Sequence, residues 1–238
     1  MMIKQITFIT LFIFDYFHKK RIIKFIKENL GINSIELLLD IGAHKGESID
    51  FFSKNLNIKK IISFEASPLN FETLKKKYKN KKDLVIENKA LSSKEGTKIF
   101  NQCDESSSST FSEINENSKY LRKKMNFLNM SKGDNFFKKQ VIKTTTLDKY
   151  LYDNHIFNVD LIKIDTEGHE FEILKGLKIN IKNINTIIFE HHYDDMIKKN
   201  YTFSDINHFL KKNSFTKVFK AKMPFRKSFE YIYENKKI

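Results

Sequence analysis

Five short apolar runs, at residues 37–41, 61–65, 84–91, 160–164 and 186–190, constrain the fold of this chain more than any other feature. Uninterrupted runs of about four to eight apolar residues suit strands buried on both faces of a parallel sheet. Helical patterning falls between them, at residues 46–54, 70–78, 170–177 and 204–212. Such alternation predicts an open α/β fold with right-handed crossovers. Two further strand patterns, 216–220 and 229–233, flank the turn-like pair Met223-Pro224 and predict an antiparallel hairpin at one sheet edge. A length of 238 residues fits one domain with a small appendage.

The expected division is a helical appendage over residues 1–30 and a main domain over 31–238, with 101–140 as an insertion. That insertion opens on Asp104-Glu105 and four serines and continues polar and Lys-rich, yet it carries Phe111, Tyr120, Leu121, Phe127 and Leu128. A long polar insertion with apolar anchors reads as a lid over a substrate. The appendage begins with an apolar run from Ile6 to Phe14, cut by Asp15 and followed by Lys19-Lys20-Arg21. That run is too short to span a bilayer, and its basic residues follow the apolar stretch where a signal peptide would place them first. The favoured reading is a helix packed on the main domain. The alternative is an interfacial helix in peripheral contact with the inner face of a membrane, its lysines toward anionic lipid.

A single cysteine, Cys103, excludes an intramolecular disulfide framework and a zinc site of several thiolates, and points to a cytoplasmic chain. The net charge of +14 invites a nucleic-acid reading, but the chain has only three arginines, Arg21, Arg122 and Arg226. The planar fork of arginine is the usual reader of phosphate and guanine. A solvated lysine-rich surface is therefore expected, and nucleic acid is not the expected partner.

The most informative segment is Asp40-Ile41-Gly42-Ala43-His44-Lys45-Gly46, directly after the first predicted strand. Gly42 permits a sharp turn, and Gly46 permits a ligand or strand to approach the helix start. The loop has G-x-x-x-G in place of the dinucleotide pattern G-x-G-x-x-G. An acid just before the first glycine disfavours pyrophosphate and suits the ammonium group of an amino acid. Glu65 ends the second strand, where nucleotide-binding α/β folds place an acid on ribose hydroxyls. One carboxylate for an ammonium and one for a ribose fit S-adenosylmethionine better than NAD.

On these motifs the chain resembles the FkbM-type family of S-adenosylmethionine-dependent methyltransferases. The matching segments are LLDIGAHKGES, ISFEASPLNFETLKKKY, IENKALSSKEGT, the TTTLD run ending at Asp148, and LIKIDTEGHEFEILKGL. The resemblance implies a Rossmann-like class I methyltransferase fold: a seven-stranded, mostly parallel sheet in the order 3-2-1-4-5-7-6, with helices on both faces. It implies cofactor contacts at Asp40, Gly42, Ala43, Gly46, Glu65 and Ala66, and adenine contacts at Asn88, Lys89 and Ala90. Asp165 would lie near the sulfonium and the acceptor. The family's usual chemistry is O-methylation, often of sugar or polyketide hydroxyls. One departure stands in Glu65-Ala66-Ser67-Pro68, where the family usually has proline directly after the acid.

The fourth and fifth strands end in Asp165-Thr166-Glu167-Gly168-His169-Glu170 and Glu190-His191-His192, at the sheet edge where open α/β proteins bind ligands. Asp165, Glu167 and His191 are the expected catalytic residues, with one histidine taking the proton of an acceptor hydroxyl. Neighbours on an extended segment face opposite ways, so at most one of His191 and His192 meets the site, and His191 is preferred. Glu170 is expected to play a structural part, capping its helix or pairing with a lysine. The same acids with a histidine could hold a metal, but none is assigned. The expected function is O-methylation of a sugar, polysaccharide or glycolipid-type acceptor. The alternatives are RNA methylation, disfavoured because Asp165-Thr166-Glu167-Gly168 lacks prolines and carries phosphate-repelling acids, and a non-catalytic scaffold.

Overall fold

A computed structural model describes residues 2–103, 109–128 and 137–236. Helix α1 (Met2–Glu28) leads into the first βα unit, β1 (Ser34–Ile41) and α2 (Glu47–Asn55). Then come β2 (Asn57–Phe64), α3 (Pro68–Lys77) and β3 (Leu84–Glu87). The middle of the chain carries β4 (Ala90–Leu91), β5 (Gly96–Cys103), β6 (Glu113–Ile114), α4 (Lys119–Leu128), β7 (Phe137–Thr145) and α5 (Leu147–Asp153). The second half runs β8 (Val159–Ile164), α6 (Glu170–Lys175), β9 (Ile184–His192), β10 (Ile197–Lys198), α7 (Phe203–Lys212), β11 (Phe215–Lys222) and β12 (Ser228–Asn235).

The main sheet has seven strands in the order β11-β12-β9-β8-β1-β2-β3. Counted along the chain, these seven run 3-2-1-4-5-7-6 from the β3 edge. β12 is antiparallel to both neighbours, while β1, β2, β3, β8 and β9 pair in parallel. The central strands β1, β8 and β9 are buried through their second halves, where apolar residues surround Asp40 and Lys163 and precede Glu190, which is why they read as nearly continuous apolar runs in the sequence.

Each face of the sheet has its own core. Leu39, Ile162, Ile164, Ile187 and Phe189 pack beneath α5, α6 and α7. Leu38, Leu161, Ile188 and Ile232 pack on the other face with Ile49 and Phe52 of α2 and with Ile22, Ile23 and Ile26 of α1. The second half of α1 is therefore part of the hydrophobic core. Among the described residues no helix is long and apolar enough to cross a membrane. Local signals fix the starts of α3 and α7. Ser67 caps α3 ahead of Pro68, and Thr202 with Asp205 forms a capping box on α7.

Two small sheets lie outside the expected pattern. β5 and β7 form an antiparallel ladder from Gly96↔Thr144 to Cys103↔Phe137, with β4 beside β7. β6 pairs with β10. The run at 84–91, expected as one strand, is divided: β3 joins the main sheet, and β4 turns away after Asn88-Lys89 to join the small one. β5 and β7 are half-exposed and rich in Lys, Asn, Gln and Thr, so they lack the apolar run that marks the central strands. Of the expected insertion, residues 104–108 and 129–136 lie outside the described residues.

Burial of Ile26 predicts that Ile26→Ala costs about 2–4 kcal/mol. Denaturant unfolding measures this, and a loss under about 0.5 kcal/mol would mean that α1 is a surface appendage.

Candidate active site

A cleft of about 340 Å³ opens at the carboxyl ends of β1, β2, β8 and β9. One wall is the loop after β1. The amides of Gly42 and Ala43 donate to the Phe64 carbonyl at 2.9 and 3.1 Å, and the Gly46 amide donates to the Ala43 carbonyl at 2.7 Å. Gly42 has φ +88°, and a Cβ there would lie 1.9 Å from the Asp165 carbonyl oxygen. Only glycine lets the β1 and β8 loops meet this closely. Gly46 has φ +90°, and a Cβ there would meet the Tyr78 hydroxyl at 2.2 Å, so a packed tyrosine and not a ligand requires that glycine.

Glu65 stands at the tip of β2, buried and on the cleft surface. Its carboxylate accepts from the amides of His44 at 2.7 Å and Ser67 at 2.8 Å. Burial raises its pKa, partly offset by those two amides. The Asn88 side chain donates to the Glu65 carbonyl at 2.8 Å and so ties the ends of β2 and β3 together. Asp40 differs from Glu65. It is fully buried between β2 and β8, in register with Ser63 and Lys163, and its Oδ1 forms no hydrogen bond. Burial lifts its pKa to about 7 against the opposing pull of Lys163.

Of the cofactor contacts expected from sequence, Gly42, Ala43, Glu65, Ala66, Lys89, Ala90 and Asp165 line the cleft. Asp40, Gly46 and Asn88 do not line it: Asp40 and Gly46 are buried and Asn88 is exposed, and all three hold loop and strand ends in place.

The opposite wall is built around a buried chain of charges that sequence reasoning missed. His18 of α1 meets Glu230 of β12 at 2.6 Å, Glu230 meets the Lys163 ammonium at 3.2 Å, and Lys163 meets Asp165 at 3.2 Å. Burial would raise the Glu230 pKa, but Lys163 and His18 outweigh it and bring it to about 2. Near the mouth Arg226 pairs with Asp15 at 2.9 Å. The available signal was a lysine interrupting an otherwise apolar, inward-facing strand, Leu161-Ile162-Lys163-Ile164, whose ammonium must find carboxylates.

The histidine pair faces the other way from the expected one. The His191 ring lies against Tyr193, Tyr201 and Phe203, where burial holds its pKa down at about 3. His192 faces the acids instead, with Glu167 at 3.6 Å, Glu190 at 3.5 Å and Asp194 at 3.5 Å. Burial alone would lower its pKa, but those carboxylates hold it at about 10. Alternation along β9 allows one ring per side, and the apolar α7 side took His191. Glu170 braces the loop above, accepting from the Thr166 and Gly168 amides at 3.2 and 2.9 Å and from the Tyr201 hydroxyl at 2.8 Å. Residues 109–112 cross the same loop. Thr110 donates to the Glu167 carbonyl at 2.7 Å and Ser112 to the Gly168 carbonyl at 2.9 Å, while Ser109 and Phe111 line the cleft.

A Rossmann-like sheet in this strand order, with a strand-tip acid beside a glycine-turned loop, defines a nucleoside-binding methyltransferase fold. The profile of the Methyltransferase FkbM domain family matches residues 40–217, and the chain belongs to that family of S-adenosylmethionine-dependent methyltransferases. The hexuronic acid methyltransferase AglP of Haloferax volcanii is 35% identical over 51 residues, a match spanning 21% of each chain. Among solved structures, methyltransferase FkbM from Methylobacillus flagellatus KT superposes with a TM-score of 0.53 at 14% identity, covering 87% of this chain and 46% of that one. TrmK of M. capricolum, in complex with S-adenosyl-homocysteine, superposes with a TM-score of 0.51 at 12% identity, over 93% of this chain and 69% of that one. These superpositions establish the shared fold. The FkbM family and the superpositions agree with the fold and cofactor class expected from the sequence.

Asp40 generates a pH prediction. Its folded-state pKa of about 7 exceeds the ordinary 3.8, so the folded protein binds the proton more tightly and loses stability as pH rises between those values. Asp40→Asn should therefore stabilise the ligand-free protein by roughly 2–3 kcal/mol more at pH 8 than at pH 5. Thermal unfolding at the two pH values measures the difference, and equal gains at both would contradict the assignment.

Proposed function

We propose that this chain methylates a hydroxyl of a sugar-type acceptor held between α1, the β11–β12 hairpin and the carboxyl edge of β8 and β9. The observation that carries this reading is the mixed polarity of that half of the cleft. Asp15, His18, Lys19, Asp165, Arg226 and Glu230 line it, offering both donors and acceptors. A polyhydroxyl acceptor needs both kinds, whereas a nucleic-acid backbone would meet the carboxylates. The short similarity to a hexuronic acid methyltransferase points the same way.

The residues of the other half suit S-adenosylmethionine. Glu65 would accept from the ribose hydroxyls, exchanging one of its loop amides for them. The turn at Gly42, Ala43 and His44 would hold the amino-acid end, and Ala66, Lys89 and Ala90 would flank the adenine. Asp40 would act from behind, keeping the β1 loop at the Asp165 backbone. When bound, the cofactor supplies an electrophilic methyl group. The chain's own task is then to position the acceptor oxygen in line and to remove its proton. Asp165, anchored by Lys163, would orient the hydroxyl, and Glu167 would take the proton. His192, beside Glu167, replaces His191 as the histidine of the site.

Residues 109–112, bonded onto the Glu167–Gly168 turn, support reading this segment as a lid. Exposed Phe14 and Phe17, with Phe14 edge-on to exposed Phe225 near the mouth, support contact with a membrane surface bearing a lipid-linked acceptor.

Labelled S-adenosylmethionine, incubated with the protein and fractionated cell extract, tests the acceptor class. Label should enter glycan or glycolipid, and label confined to RNA would overturn the reading. Glu65→Ala should weaken S-adenosylhomocysteine binding at least about tenfold by calorimetry, since a hydrogen bond to a charged group contributes about 1.5–3 kcal/mol. Unchanged affinity would remove Glu65 from the cofactor site. Thr110→Val with Ser112→Ala should lower turnover while leaving that affinity within about threefold, a change of roughly 0.6 kcal/mol. Equal losses in both would place the segment in the cofactor site instead.

A further inference from the structure

At the carboxyl edge of β8 and β9, Asp165, Glu190 and His192 each present one ligand atom, and the three atoms lie within 4.8 Å of one another. Glu190 and His192 are only 5% and 8% exposed. Even so, Oε1 of Glu190 and Nε2 of His192, 3.5 Å apart, form no hydrogen bond. Buried polar atoms are nearly always satisfied, so two orphans facing one point ask for a partner that bonds to both. The surrounding charge asks for a cation. Glu167 and Asp194 also flank His192, while the nearby cations are already engaged: Lys163 by Asp165 and Glu230, Arg226 by Asp15, and Lys199 by the His192 carbonyl and the charges of Glu167, Glu170 and Asp194.

We propose that Asp165, Glu190 and His192 bind one divalent cation, of the Mn²⁺ class, at the acceptor end of the cleft. Two carboxylates with one imidazole are a hard-to-borderline ligand set that suits Mn²⁺ better than a thiophilic metal. Ligand atoms at about 2.1 Å from a six-coordinate ion stand roughly 3–4 Å apart, so small side-chain rotations close the present spacing. His192 ligates as the neutral ring and gives its proton to solvent. Asp165 and Glu190 both line the cleft, which leaves the remaining coordination positions open toward the acceptor. An acceptor hydroxyl bound there becomes more acidic and is held for attack. That role rests on the proposed hydroxyl acceptor, whereas binding of the ion does not.

Titration of Mn²⁺ into the metal-stripped full-length protein, followed by electron paramagnetic resonance, tests the site. One tightly bound Mn²⁺ per chain is expected, with a Kd below about 100 µM. Nitrogen hyperfine coupling from a single imidazole should appear in the wild-type spectrum, a signature that needs no variant. Glu190→Gln and His192→Gln should each weaken binding at least about tenfold, with Glu36→Gln as an exposed control. Absence of stoichiometric Mn²⁺, absence of the imidazole coupling, or unchanged affinity in both variants would overturn the proposal. S-adenosylhomocysteine binding, measured on the same samples, separates this outcome from failure of the methyltransferase reading.

Discussion

The structure depends on a lysine ammonium buried in the middle of a parallel sheet. Lys163 interrupts the apolar run of β8, and its charge must be met by carboxylates or be lost. Glu230 meets it from β12 and Asp165 from the end of its own strand. The first contact fixes the antiparallel hairpin against the sheet. Through His18 it also fixes α1. The second contact holds Asp165 at the cleft, beside the Gly42 turn that its backbone nearly touches. Fold and site are therefore joined by one buried cation.

That arrangement divides the labour of the chain. The family profile spans residues 40–217 and includes the loop after β1, Glu65 and the β8 and β9 ends. His18, Asp15, Arg226 and Glu230 fall outside that span, yet they line the same cleft. On the proposed reading, the family's span would carry the cofactor contacts together with Asp165, Glu167 and His192, and the flanks would complete the acceptor half. A helix that reads as an appendage is thereby a wall of the site.

The central strands, their helices and the glycine-turned loop were legible because burial on both faces leaves uninterrupted apolar runs, and because tight turns demand glycine. The β5–β7 ladder was not, since half-exposed strands mix polar residues into their pattern and pair only with each other. Cleft-lining acids were legible where a strand ends, as with Glu65, Asp165 and Glu190. Depth was not legible: Asp40 and Glu65 occupy equivalent-looking positions, yet one is sealed beneath the loop and the other faces the cleft. The orientation of His191 and His192 turned on which face of β9 the apolar side of α7 covers. The buried chain from His18 to Asp165 joins residues 147 positions apart, and only a folded sheet brings them together.

On the proposed reading, the cleft between the β1 loop and the β8 and β9 ends holds a sulfonium nucleoside, with Glu65 on its sugar. A crystal structure grown with S-adenosylhomocysteine measures this directly. Density is expected in the cleft, with both ribose hydroxyls within hydrogen-bond reach of the Glu65 carboxylate and adenine against Lys89 and Ala90. A cleft without density at saturating ligand, or a ribose bound away from Glu65, would contradict it.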